Sequence, residues 1–110
     1  MPNKPYKLKI LAPAREEIRE IARLHMELVG AKSARKITAK LRKSTEHLCD
    51  HPYLGVSIEA RDLSQKGYRK LFSGNYLCFY RLIGDTIFVY HIADGRTAYK
   101  RLFRSFPTEE

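Results

Sequence analysis

Arg69 and Arg96 stand at the two ends of a strand-rich stretch. A guanidinium can grip a phosphate through two parallel hydrogen bonds and keeps its charge at any physiological pH, so this pair could stabilise phosphate charge if the fold brings it to one face. Lys70, Arg81, Lys100 and Arg101 lie on the same stretch or just after it and could add contacts to a phosphate, a nucleic acid or an anionic target. Proton transfer is harder to supply. An imidazole titrates nearest neutrality, and His91 is the one in this region, inside a strand whose facing the pattern does not settle. A phenol ordinarily ionises near pH 10, so Tyr99 would need help from Arg96 or Lys100. Each residue also has a plain role. Arg69 and Lys70 are neighbours on a strand, so one of them must face outward as a solvated cation. Arg96 follows Asp94-Gly95 and could pair with a nearby carboxylate, while Tyr99 could pack as an amphipathic cover on a sheet. His47 and His51 flank Cys49, but two histidines and one thiol with no fourth ligand make a poor zinc site. No metal and no cofactor is expected.

The elements that must position these side chains follow from periodicity. Residues 68–72, 75–82 and 86–93 are β-branched and aromatic runs separated by Ser73-Gly74 and Ile83-Gly84-Asp85, a composition that predicts an antiparallel meander. Residues 6–11 alternate basic and apolar side chains and read as a further strand at a sheet edge. From Pro13 the period changes. Ala14, Ile18, Ile21, Ala22, His25, Leu28 and Val29 recur at helical spacing, with Glu16, Glu17 and Glu20 towards the positive end of the dipole, until Gly30. A second amphipathic helix sets Ala34, Ile37, Leu41, Thr45 and Leu48 on one face and Lys32, Arg35, Lys36, Lys40, Arg42 and Lys43 elsewhere, ending at Asp50-His51-Pro52. The two should form an αα-hairpin. Residues 51–66 read as a loop, residues 97–103 as a short final helix and residues 105–110 as a frayed tail. The expectation is an α+β fold, a first strand and a helical hairpin packed on one face of an antiparallel sheet, in one domain spanning residues 1–110.

A chain of 110 residues supports one modest core. Its net charge of +9 attracts polyanions, whether nucleic acid, an acidic protein or an anionic membrane. The amino terminus is polar and basic, unlike a secretory signal, and no run reaches membrane-spanning length, so a cytoplasmic protein with no membrane partner is expected. Cys49 and Cys78 are far apart in sequence and read as reduced. The basic side of the second helix has two readings, a solvated face or a surface drawn to phosphate backbone.

Several segments together resemble one family: Arg15-Glu16-Glu17-Ile18-Arg19-Glu20-Ile21-Ala22, His51-Pro52-Tyr53-Leu54-Gly55, Gly67-Tyr68-Arg69-Lys70-Leu71, Asn75-Tyr76-Leu77-Cys78-Phe79-Tyr80-Arg81 and Ile92-Ala93-Asp94-Gly95-Arg96. In order and spacing they are similar to the RelE/ParE superfamily of bacterial toxins from type II toxin-antitoxin modules, across residues 6–103. The resemblance implies a growth inhibitor neutralised by a cognate acidic antitoxin. It also implies one of two targets. RelE-like members cleave messenger RNA on the ribosome with basic residues and a proton-transfer group, and ParE-like members act on DNA gyrase without that set. Arg69, Arg96 and Tyr99 match RelE-like positions, but Leu77 stands where RelE-like toxins place an arginine. The run from Asn75 to Arg81 and the Asp-Gly-Arg ending favour the ParE-like side. A metal-independent ribosome-dependent endoribonuclease is the alternative, and a non-toxic basic nucleic-acid-binding domain a third.

Overall fold

The structure, a computed structural model, describes residues 5–96. Its elements in chain order are β1 (Lys7–Ile10), α1 (Ala12–Leu28), α2 (Ala31–His47), β2 (Val56–Ser57), α3 (Arg61–Gln65), β3 (Arg69–Ser73), β4 (Tyr76–Ile83) and β5 (Thr86–Asp94). The expected final helix and tail lie outside the described residues.

Helix α1 starts at Ala12 with Pro13 in its first turn, where a missing N–H costs nothing. Glu16, Glu17 and Glu20 consequently fall beyond the first turn, outside the strongest reach of the dipole. The expected apolar stripe also stops short, because Leu28 and Val29 at the end of the helix are exposed. Gly30 then turns the chain at φ 135°, a conformation that side-chain-bearing residues avoid, and α2 begins at the next residue. The abrupt reversal lays the two helices side by side as an αα-hairpin. Ala34, Leu41, Thr45 and Leu48 of the second run are buried as its spacing requires.

The sheet runs in the order β1-β5-β4-β3-β2. The chain leaves edge strand β1 through the helical hairpin, re-enters at the far edge as β2, and folds back through hairpins until β5 lies beside β1. Those last two strands are parallel, with Leu8 opposite Ile87 and Ile10 opposite Val89. The sheet is therefore mixed, not purely antiparallel: β1 and β5 are joined not by a tight turn but by the whole helical and meander segment between them, long enough to bring β5 back in the same direction. Within residues 51–66 the structure holds β2 and α3 where a loop was expected. A two-residue strand and a five-residue helix are too short to leave a periodic signal.

Cross-strand register sorts the side chains by face. Tyr76, Cys78 and Tyr80 of β4 join Ile87, Val89 and Ile92 of β5 in a core with Ala14, Leu41 and Leu48 of the hairpin segment. Leu77, Phe79 and Tyr90 point the other way and cluster with Ile58, Leu63 and Tyr68. The sheet is thus covered on both sides, by α1 and α2 on one and by the segment around α3 on the other. A β-bulge makes the two-sided arrangement possible in β5. Phe79 pairs with His91 but Tyr80 pairs with Val89, so Tyr90 is the extra residue and the alternation shifts by one.

Candidate functional site

The two arginines at the ends of the meander do not converge. Arg69 pairs with Tyr80, and Asp94, just before Arg96, pairs with Tyr76, four positions further along β4. That separation is about 13 Å at roughly 3.3 Å per strand residue. Each guanidinium is also already engaged. Nε and Nη2 of Arg69 donate to the Gly55 carbonyl at 3.0 and 2.7 Å, and Nη2 reaches the Tyr53 carbonyl at 3.4 Å. The same group sits 5.3 Å from the centre of the Tyr53 ring. Arg69 therefore fastens the segment after α2 to the start of β3. Tyr80 fastens it again, donating to the Pro52 carbonyl at 2.8 Å and accepting from the Gly55 N–H at 2.9 Å. Only glycine fits at position 55, where a Cβ would stand 2.5 Å from the Lys70 carbonyl oxygen and 2.8 Å from the Tyr80 ring.

Arg96 is exposed and chelates Asp94, with Nε and Nη2 donating to the two carboxylate oxygens at 3.0 and 2.8 Å. The Arg96 N–H adds a third bond to Asp94 at 2.9 Å. These bonds hold the Asp94 carboxyl below its usual range. The turn after β5 is thus closed by a local ion pair, the plain role open to Arg96 from its sequence.

Arg81 is almost fully enclosed. It is 4% exposed, its guanidinium lies 4.2 Å over the Tyr68 ring, and Nη2 donates to the Tyr90 hydroxyl at 3.0 Å. A cation enclosed by two phenols is a scaffold of the second core. Register with Phe88 turns Arg81 into that core, away from the surface on which a target-binding role was expected. Lys70 is on the same side of the sheet. Its side chain is mostly covered, and its ammonium lies 3.9 Å from the exposed carboxylate of Glu59. Tyr99, Lys100 and Arg101 lie outside the described residues.

His91 is buried at the bulge, and its Nδ1 is 3.0 Å from Glu17 Oε2. The other oxygen of Glu17 accepts the Ile92 N–H at 2.8 Å. Strand β1 pairs only with residues 86–89, so the edge of β5 beyond it is open, and the α1 carboxylate takes the place of a neighbouring strand. No periodicity announces Glu17, since the bond spans 74 residues. A second polar link joins three elements: His25 on α1 contacts the Ser33 hydroxyl at 3.0 Å and the Tyr76 hydroxyl at 3.1 Å. His25 thus occupies a half-buried, hydrogen-bonded position. Burial raises the Tyr76 phenol above its ordinary pKa, and the nearby Asp94 carboxylate adds to the rise.

Glu17 and Asp94, the partners of His91 and Arg96, border one groove of about 270 Å³ with Ile21, Leu24, Tyr76 and Ile92. Its floor is apolar and its rim charged. The arrangement can seat a side chain of a partner. It does not gather a phosphate clamp with an acid and a base, because the cations among the described candidates are spent on carbonyls, carboxylates or aromatic rings. Among the described residues no cluster of histidine, cysteine and carboxylate could hold a metal ion.

No curated protein sequence matches the chain significantly. Solved structures do. The fold is similar to a chromosomal ParDE toxin-antitoxin system from P. aeruginosa, with a TM-score of 0.70 and 19% identity over 81% of this chain and 95% of that one. It is also similar to the RelBE2 toxin-antitoxin complex from Mycobacterium tuberculosis, with a TM-score of 0.62 and 17% identity over 83% of this chain and 99% of that one. Likeness at this identity establishes the fold. The family follows from the sequence: residues 8–99 match the ParE toxin of the type II toxin-antitoxin system parDE, and the chain belongs to that family.

Proposed function

We propose that this chain is a growth-inhibiting toxin of the ParE kind, directed at DNA gyrase and acting by binding without an active site of its own. The observation that carries this reading is the use made of the strand cations. Leu77, at the position where RelE-like toxins place an arginine, is fully buried, and Arg69 is bound to the Gly55 carbonyl through two of its nitrogens. Metal-free RNA cleavage needs preorganised charge at the phosphorus oxygens, and a guanidinium committed to backbone carbonyls would have to break those bonds first.

In this reading a cognate acidic antitoxin neutralises the toxin, in keeping with the two solved neighbours, both of them toxin-antitoxin systems. The positive field of the chain favours an acidic, partly disordered segment that folds on binding. The heterocomplex should weaken as salt rises, and equal affinity at low and high salt would remove the electrostatic part of the reading.

Pulse labelling in the first minutes after tightly controlled induction tests the target. Early loss of DNA synthesis with intact messages is the expected result. An early, selective stop in protein synthesis, with cuts mapped in translated messages, would instead assign the ribosome-dependent nuclease class.

A further inference from the structure

We propose that the outer face of α2 is a binding surface for the phosphate backbone of duplex DNA, independent of base sequence. The face carries six cations, Lys32, Arg35, Lys36, Lys40, Arg42 and Lys43, against one carboxylate, Glu46, and all six are exposed. Of these six cations only Arg42 comes within ion-pair reach of a carboxylate among the described residues, at 3.9 Å from Glu46. Helix α1 shows what an ordinary solvated face looks like in this fold. There Arg19 pairs with Glu16, and Arg23 with both Glu20 and Glu27. The charge on α2 therefore exceeds what the helical hairpin needs for solubility. Like charges at four-residue spacing, as at Lys32, Lys36 and Lys40, repel and weaken the helix. A bound polyanion would turn that cost into attraction.

Three features select a nucleic-acid backbone as the occupant. Lys32, Lys36 and Lys43 fall within about 40° of one another around the helix and span about 16 Å along it, a straight row suited to a linear polyanion. Outward positions between the cations offer only Ala31 and Ala39 as apolar side chains, so an anchor of the kind that dominates protein interfaces is missing. A membrane surface does not fit either, since an interfacial helix must sink its apolar face into lipid and that of α2 is buried against the sheet through Leu41 and Thr45. The same lack of aromatics on this face favours a duplex over unstacked single strands.

The inference does not depend on the toxin's cellular target. Fluorescence anisotropy with a labelled duplex of scrambled sequence, titrated between 50 and 200 mM salt, tests it. The triple variant Lys32→Gln, Lys36→Gln, Lys43→Gln should weaken binding at least about tenfold and lower the slope of log K against log salt by about 2.7, at about 0.9 per phosphate contact. The matching Lys→Arg triple should retain binding, which separates loss of charge from loss of fold. Arg15→Gln, Arg19→Gln and Arg23→Gln together on α1 should cost less than about threefold. The proposal is overturned if the wild-type chain does not bind the duplex at 50 mM salt or if the α1 triple costs as much as the α2 triple. Capture of polyglutamate in preference to the duplex would overturn it too, and would assign the face to an acidic polypeptide.

Discussion

Helices α1 and α2 have the same length, 17 residues each, and lie against the same side of the sheet, yet they divide the work unequally. Helix α1 buries one residue completely, Ala14, and balances its outer charges in ion pairs with its own carboxylates. Helix α2 buries Ala34, Leu41 and Thr45 and leaves its outer cations nearly unbalanced. The difference teaches that amphipathicity alone does not say what a helix does. One helix closes the open edge of β5 through Glu17. The other anchors the core from within and shapes the field of the molecule from without.

The sharpest way to break this comparison is through the core. Leu41→Ala on α2 should cost about 3 kcal/mol of stability, and Ile18→Ala on the shallower face of α1 about half as much. Equal midpoint shifts in urea unfolding would show that the helices anchor the fold equally. Next comes the edge closure, where Glu17→Ala strands the Ile92 N–H and removes the carboxylate beside the His91 ring, and should cost about 2 kcal/mol. A loss no larger than that of an exposed α1 carboxylate such as Glu16 would mean that water replaces Glu17 without penalty.

Beneath the hairpin, complete burial pushes the Cys78 thiol up to about 12, against an unfolded value of about 8.5. Because the folded pKa is the higher one, stability from the neutral thiol is fully present below pH 8.5 and is lost as pH rises from there towards 12. The loss approaches about 1.4 kcal/mol per pH unit within that window. A Cys78→Ala variant should lose the alkaline part of the decline in unfolding free energy, and an unchanged pH profile would refute the assignment. A thiol reagent at pH 8 should label the half-buried Cys49 in the native protein and Cys78 only after unfolding.

The smallest effect is one of sign. Arg23→Gln removes two ion pairs and should lower the melting temperature slightly. Lys36→Gln relieves repulsion from Lys32 and Lys40, and should leave the melting temperature unchanged or raise it. A drop from Lys36→Gln as large as that from Arg23→Gln would show that the α2 cations are balanced after all.

Much of the architecture was legible because it is written in local periods. The stripe through Ala34, Leu41, Thr45 and Leu48, the turns at Gly74 and Gly84 and the edge position of β1 all follow from neighbours a few residues apart. The ParE side of the resemblance likewise rested on residue order and agrees with the family match. What the chain by itself determined was therefore its longer helices and strands, its charge and its family. Tertiary structure alone decided what the charged groups do. Arg69 meets the Gly55 carbonyl 14 residues away, Arg81 enters an aromatic cage because a strand register turns it inward, and Glu17 meets the β5 edge across more than 70 residues. Parallel pairing of β1 with β5 and the bulge at Tyr90 belong to the same class. The reason is physical: a side chain's period fixes which face of an element it occupies, but its partner is set by which other element the packed core brings alongside.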